Sequence, residues 1–372
     1  MMSKYIVVGA GVLGASAAFH LARMGADVTI VDRDDRGQAT AAAAGIVCPW
    51  LSQRRNKAWY QLVKNGARYY PELIQQLEEI GETNTGYKQV GALSIHTDQE
   101  KLEKIVERAR IKREEAPEIG EISLLTPSET KRLFPPLSEE YSSVFVSGGA
   151  RVNGRALRDA LLNGAKKLGA TYLSGDAVLS TENGKITGVK IGEQTISSEK
   201  VLIAAGAWAR ELLTPLGVNL EITYQKAQII HLEWQNQNTG QWPVIMPPND
   251  QYMLAFEEGR IVIGATHEDD TGLDTRVTAG GMNEILEKAL AVAPGLAHCT
   301  YLETRVGFRP FTPGFLPIIG DVPDVKGLLV ANGLGASGLT SGPFLGAELA
   351  RLALGRKTEL DVNHYSINEA IK

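Results

Sequence analysis

A chain of 372 residues is long enough for two domains, and its apolar fraction of 44% supports a large packed core. The net charge of −5 leaves no basic footprint for nucleic acid or an anionic membrane, and no apolar run is long enough to span a bilayer. The two cysteines, Cys48 and Cys299, lie far apart and show neither a zinc spacing nor a disulfide framework, and none of the six histidines pairs at metal spacing; a metal-free protein of the reducing cytoplasm is expected.

Residues 5–8 form an apolar, β-prone run that leads directly into Gly9-x-Gly11-x-x-Gly14. Lys4 before that run imitates the start of a signal peptide, but the glycines that follow mark it as a strand. A helical stretch over residues 15–24 and a second apolar run over 28–31, ending on Asp32, complete a strand–turn–helix–strand–acid unit. Such a unit holds a dinucleotide. Gly9 makes the tight turn, Gly11 lets the backbone approach a pyrophosphate, and Gly14 lets the helix lie close to the sheet. Val12 and Leu13, within the glycine turn, are also expected at the cofactor, and the N-terminal N–H groups of the helix that follows favour phosphate. Asp32, followed by Arg33, can accept from ribose hydroxyls and disfavours a 2′-phosphate, which argues against NADP but leaves FAD and NAD open.

Residues 37–47, rich in alanine, fit two readings: a plain helix, or backbone lying against a flat ligand where bulk is not tolerated. Residues 56–79 read as one or two amphipathic helices with a break at Pro71, and 92–95 as a strand. Residues 99–115 form a solvated helix with Glu100 and Lys104 paired at i,i+4, and Thr126-Pro127-Ser128-Glu129 is a capping box. Strands follow at 144–146, 171–173, 177–179 and 188–191, with a helix over 153–168 and a hairpin turn at Asn183-Gly184. Residues 200–208 make a second strand-to-glycine turn, so the nucleotide domain resumes here and is discontinuous. Strands over 222–232, 252–256 and 260–265 point to an antiparallel sheet in a second domain, followed by a helix over 279–292 capped by Thr278. Strands at 317–320 and 328–331 then lead into a third glycine-rich turn, residues 332–340, and a helix reaching Leu354.

These pieces in this order resemble the D-amino-acid oxidase/glycine oxidase (DadA-like) family of FAD-dependent oxidoreductases over essentially the whole chain. The carriers are residues 9–14 with Asp32, residues 43–46, residues 204–208, Gly307-Phe308-Arg309-Pro310 and residues 333–338. The fold implied is α/β (α+β overall): a discontinuous Rossmann-like FAD-binding domain over 1–85, 146–215 and 315–372, and a substrate domain with a large antiparallel sheet over 86–145 and 216–314. The resemblance selects FAD over NAD and close backbone approach over a plain helix. It places Thr40, Ala41, Ala44, Gly45 and Ile46 along the pyrophosphate, ribityl chain and flavin ring, and Val178 at the adenine. Ala205, Gly206 and Trp208 match the second turn. Gly335, Ala336, Ser337, Gly338, Leu339 and Thr340 match the turn facing the flavin pyrimidine, where positive dipoles favour the anionic reduced flavin.

Arg309 matches the family's carboxylate-binding arginine. A guanidinium suits that role because it holds a carboxylate by two parallel hydrogen bonds, and Pro310 biases Arg309 toward extended backbone; read without the resemblance, it is a surface or structural arginine. Tyr252 matches a tyrosine lining the substrate pocket, otherwise a half-buried strand tyrosine. His267 matches a position above the flavin, although a histidine beside Glu268, Asp269 and Asp270 reads equally as a loop residue. There are two departures from the family. Residues 307–316 contain no cysteine for a covalent link, so FAD is expected to be non-covalent; and Ala336 stands where glycine oxidases carry arginine, which speaks against glycine itself as substrate.

The activity implied is oxidation of the C–N bond of a small amino acid or N-substituted amino acid, with hydride passing to the flavin N5 and the resulting imine hydrolysing. The alternatives are a flavoprotein subunit of a larger amine dehydrogenase, a NAD-dependent dehydrogenase, and a non-catalytic FAD-binding role. The expected partner is a small amine or amino acid; homo-oligomerisation is left open.

Overall fold

In the computed structural model, which describes residues 4–372, the chain builds two large sheets. The first has six strands in the spatial order Ile318–Asp321, Leu328–Asn332, Lys200–Ile203, Lys4–Val8, Asp27–Asp32, Thr171–Ser174. All neighbours are parallel except the first pair. Parallel strands require crossovers that cover both faces, which is why these runs are almost continuously apolar. Helix Val12–Arg23 packs between helices Gly154–Lys167 and Gly338–Ala353 and is buried on every side from Val12 to Ala22.

The second sheet has eight strands, in the order Thr300–Phe311, Thr223–Glu233, Arg260–Gly264, Tyr252–Ala255, Val244–Met246, Ala92–His96, Ser142–Val146, Ile122–Leu125. Its pairs are antiparallel apart from Val244–Met246 with Ala92–His96. The mixed α/β architecture expected from the sequence is therefore present, with three strand–glycine–helix connections on the parallel sheet.

Local signals were often accurate. The Thr126 cap is a complete capping box, Thr278 accepts from the Gly281 N–H at 3.2 Å, and Asn183 and Gly184 take φ of 50° and 71°, as a primed hairpin turn requires. Pro71 is a correction. Helix Lys57–Glu78 runs through it without a break. A mid-helix proline costs about 3 kcal/mol. The fully buried neighbours Tyr70, Leu73 and Leu77 each contribute about 1.5–3 kcal/mol of burial, which outweighs that cost. Pro343, inside helix Gly338–Ala353, leaves the Leu339 carbonyl without its helical donor, and the Tyr70 hydroxyl donates to that carbonyl at 2.5 Å.

Strand Thr300–Phe311 was not foreseen. At 12 residues it is longer than any other strand described. Its charged residues and Pro310 hide any period-2 pattern, and it is specified by pairing along Thr223–Glu233, with Gln225 opposite Arg309, Ala227 opposite Gly307 and Ile229 opposite Arg305.

Candidate cofactor and substrate site

The three glycine turns converge on one cavity of about 480 Å³ between the two sheets. Its lining includes Gly9, Gly11, Val12 and Leu13 of the first turn, Ala205, Gly206 and Trp208 of the second, and Gly335, Ala336, Gly338 and Leu339 of the third. Asp32, Arg33 and Val178 lie at one end; Tyr252 and Arg309 also line it, from the second sheet.

The glycines divide by what a side chain would meet. A Cβ on Gly14 would collide with the Gly9 carbonyl, and one on Gly45, at φ +104°, with the Val152 carbonyl. Those two glycines serve packing of the protein against itself. Gly45 was read as making room for a flat ligand; it lines the cavity, but its missing side chain is demanded by the Val152 backbone beside it. Gly11, Gly206 and Gly338 are the opposite case. A Cβ on Gly206 meets nothing within 4 Å, one on Gly338 only Leu334 Cβ at 3.9 Å, and one on Gly11 only Thr40 Oγ1 at 3.4 Å. One glycine in each turn thus presents bare backbone to open space, which is the cradle an elongated dinucleotide needs.

Residues 37–47 combine both readings. Only Ala39–Ala42 is helical; Ala43 is extended and Ile46–Val47 is a strand. The short helix lies on strand Thr300–Phe311 because Gly307 has no Cβ to push Ala42 away. Thr40 Oγ1 accepts from the Val12 N–H at 3.0 Å, tying the helix to the first turn. Ala44 and Ile46 line the cavity; Ala41 does not, and its carbonyl accepts from Arg155 and Arg305 instead.

At the Asp32 end, the carboxylate accepts from the Ala10 N–H, the Asp34 N–H and the Gln38 amide, so part of its capacity fixes the surrounding loop. Arg33 is ringed by Asp35, Asp176 and Glu211. Val178 is 56% exposed, leaving an open edge there. In the third turn, Ser337 Oγ donates to the Leu334 carbonyl and accepts from Trp59, and the Thr340 hydroxyl donates to the Ile46 carbonyl. Neither residue lines the cavity; both side chains are spent on holding the turn in place.

On the second sheet, Arg309 Nη1 donates to Gln225 Oε1 at 3.2 Å. Burial pushes the Tyr252 hydroxyl pKa up while Arg309 beside it pulls the other way, so the phenol stays neutral. His267 is not brought to the cavity. Its side chain is 40% exposed, with Nδ1 3.7 Å from Asp250, and burial followed by Arg309 lowers its pKa.

Gln225 and Gln38 were missed from the sequence, as were Ala227, Ile229 and Phe308, which line the cavity. Period-2 spacing of 225, 227 and 229 could have found three of them, had the partner strand been recognised. Neither cysteine lines the cavity, and burial pushes their thiols up, to about 12 for Cys48 and about 11 for Cys299. Among the described residues no cluster could hold a metal ion, and no helix is long and apolar enough to cross a membrane.

A parallel sheet whose three glycine turns surround one cavity is the arrangement of a dinucleotide-binding enzyme, and the comparisons identify the dinucleotide. The family model "FAD dependent oxidoreductase" (DAO) matches residues 4–352, so the chain belongs to that family, its cofactor is FAD and it is an enzyme. Among curated relatives, an uncharacterized oxidoreductase, YurR, of Bacillus subtilis (strain 168) is 63% identical over 365 residues, covering 98% of both chains. Among solved structures, iminodiacetate oxidase from Chelativorans sp. BNC1 superposes with a TM-score of 0.95 at 45% identity, covering 97% of this chain and 98% of that one. Glycine oxidase from Geobacillus kaustophilus superposes at 0.86 with 25% identity, covering 98% and 99%.

Proposed function

We propose that this chain oxidises the C–N bond of a small amino acid or N-substituted amino acid. The observation that carries the reading is Arg309 and Tyr252 meeting in the wall of the same cavity that the three glycine turns line. Bound FAD supplies the two-electron acceptor for the substrate's α-C–H hydride. The chain's own work is positioning. Arg309 grips the substrate carboxylate, Gln225 accepts from one of its nitrogens and so orients the guanidinium, and Tyr252 beside it adds a neutral hydroxyl. His267 lies outside the lining and is assigned no proton step, so the amine reacts in its neutral form. The imine then hydrolyses in water.

An N-carboxymethyl secondary amine heads the list of substrates. The 45% identical structure is an iminodiacetate oxidase, and Ala336 leaves the third turn free of the arginine expected for a glycine oxidase. The cofactor contacts are assigned to the glycine turns, Asp32, Arg33, Thr40, Ala44, Ile46 and Val178, without a covalent link. The FAD-binding domain is assigned to 1–85, 146–215 and 315–372 and the substrate domain to 86–145 and 216–314; the division of strands between the two sheets supports this. A cytosolic location is proposed from the two free thiols.

Anaerobic mixing of the FAD-loaded protein with iminodiacetate, sarcosine, glycine, D-alanine and D-proline tests the activity. Bleaching of the flavin band by at least one of them is expected, fastest with iminodiacetate. A flavin that no member of the panel reduces overturns the reading.

A further inference from the structure

The segment Ala39–Ala42 separates the cavity from a second group of charged residues. On one side of it Gly307 and Arg309 face the cavity; two residues further back along the same strand face, Arg305 lies outside the lining. Arg155 Nε and Arg305 Nη1 share one acceptor, the Ala41 carbonyl, at 3.0 and 3.4 Å. Glu303 Oε1 accepts from Arg305 Nε at 3.0 Å and lies 3.6 Å from Arg260 Nη2, an ion pair without a hydrogen bond. Three guanidiniums are therefore chained through two oxygens, and one carboxylate balances them. Glu233, opposite Arg260 in the strand register, makes no ion pair with it among the described residues. Arg158, nearby, is taken up by Asp159.

Beneath this group is His231, opposite Glu303 in the register and only 4% exposed. Both of its ring nitrogens lack a hydrogen-bond partner. A buried imidazole without partners is costly and is rarely kept in a native fold without a ligand or water to satisfy it. Arg305, Arg260 and Arg155 all act on its charge, which places the ring against the same group. The cluster is open to solvent: Arg260 is 35% exposed at its side chain, Glu303 36%, and Arg155 is exposed.

We propose that Arg155, Arg260 and Arg305, backed by His231, bind a small oxyanion, a phosphate or a carboxylate, outside the cofactor cavity. Planar guanidiniums suit such an anion because each offers paired donors, and the surplus of positive charge needs a counter-ion. An anion there would also hold Arg155 and Arg305 in place on the Ala41 carbonyl, and so brace the segment whose Thr40 ties down the first glycine turn.

The test uses the FAD-loaded full chain, so that the pyrophosphate contacts are already taken. Its thermal midpoint is measured against sodium phosphate, sodium acetate and sodium chloride at constant ionic strength. A saturable rise with phosphate or with acetate, absent with chloride, is expected, and which anion acts identifies the ligand. Arg155→Gln and Arg260→Gln are exposed enough to fold, which flavin content and the midpoint in chloride verify. Each should raise the half-saturating concentration about tenfold or more, the loss of one charged hydrogen bond. The proposal is overturned if neither anion gives a saturable rise, or if both variants respond at the wild-type concentration.

Discussion

The two walls of the cavity are made of different materials. The parallel-sheet side presents main chain: Gly11, Gly206 and Gly338 leave backbone facing open space, and the helices that follow aim N–H groups at it. The antiparallel-sheet side presents side chains, Arg309 and Tyr252 among them, positioned by strand register. A backbone wall recognises what all substrates of a flavoenzyme share, the cofactor, and is broken by adding atoms. A side-chain wall recognises what differs between substrates and is broken by removing them.

Substitutions on each wall should separate the two roles, the largest effect coming from the backbone side. Gly11→Val places a branched side chain into the open space beside Thr40, and purified protein should be colourless yet folded by circular dichroism; a yellow variant with wild-type flavin content would contradict the cradle. Arg309→Met should keep its flavin and lose roughly 10²–10³-fold in kcat/KM, the range for one member of a desolvated charge pair; unchanged turnover of the best amine would remove Arg309 from the carboxylate role. Behind each wall, away from the cavity lining, lies a buried histidine, His20 on helix Val12–Arg23 and His231 on strand Thr223–Glu233. The pKa of His20 falls to about 3, chiefly through burial and then through Arg351 and Arg23, and its Nε2 meets the Tyr69 hydroxyl at 2.8 Å. His231 is likewise lowered to about 3, by burial first. Both groups are depressed on folding, so their contribution is fully present above pH 6.5 and is lost as pH falls from 6.5 toward 3. Each should cost about 2 kcal/mol between pH 7 and pH 5. Urea unfolding at the two pH values should show a smaller loss in His20→Gln than in wild type, and equal losses would mean His20 is not buried neutral. The smallest effect is expected for Tyr252→Phe, which removes one neutral donor: about tenfold in KM with little change in flavin content. A change in kcat alone would assign the hydroxyl to the chemical step instead.

Much of the backbone wall was legible before any coordinates. Residues 9–14 with Asp32, residues 204–208 and residues 332–340 all stand out because a glycine after a buried strand is a local signal, carried within ten residues. Capping at Thr126 and Thr278 is local in the same sense. The side-chain wall was legible only in part. Arg309 and Tyr252 came from resemblance, while Gln225 went unseen because it matters only opposite Arg309, 84 residues away. Pro71 misled for a related reason, since its helix is held by tertiary burial that no local rule contains.

Taken alone, the order of residues determined the glycine turns, the acid at the end of the second strand and the discontinuous dinucleotide fold, because each depends on steric room or hydrogen bonding between near neighbours. Only the tertiary structure decided that Gly45 yields to Val152, that Gly307 admits helix Ala39–Ala42, that His267 stays outside the cavity and that three arginines meet over His231. Those outcomes follow from the pairing of distant strands, where a register shift of one residue would turn every side chain to the other face.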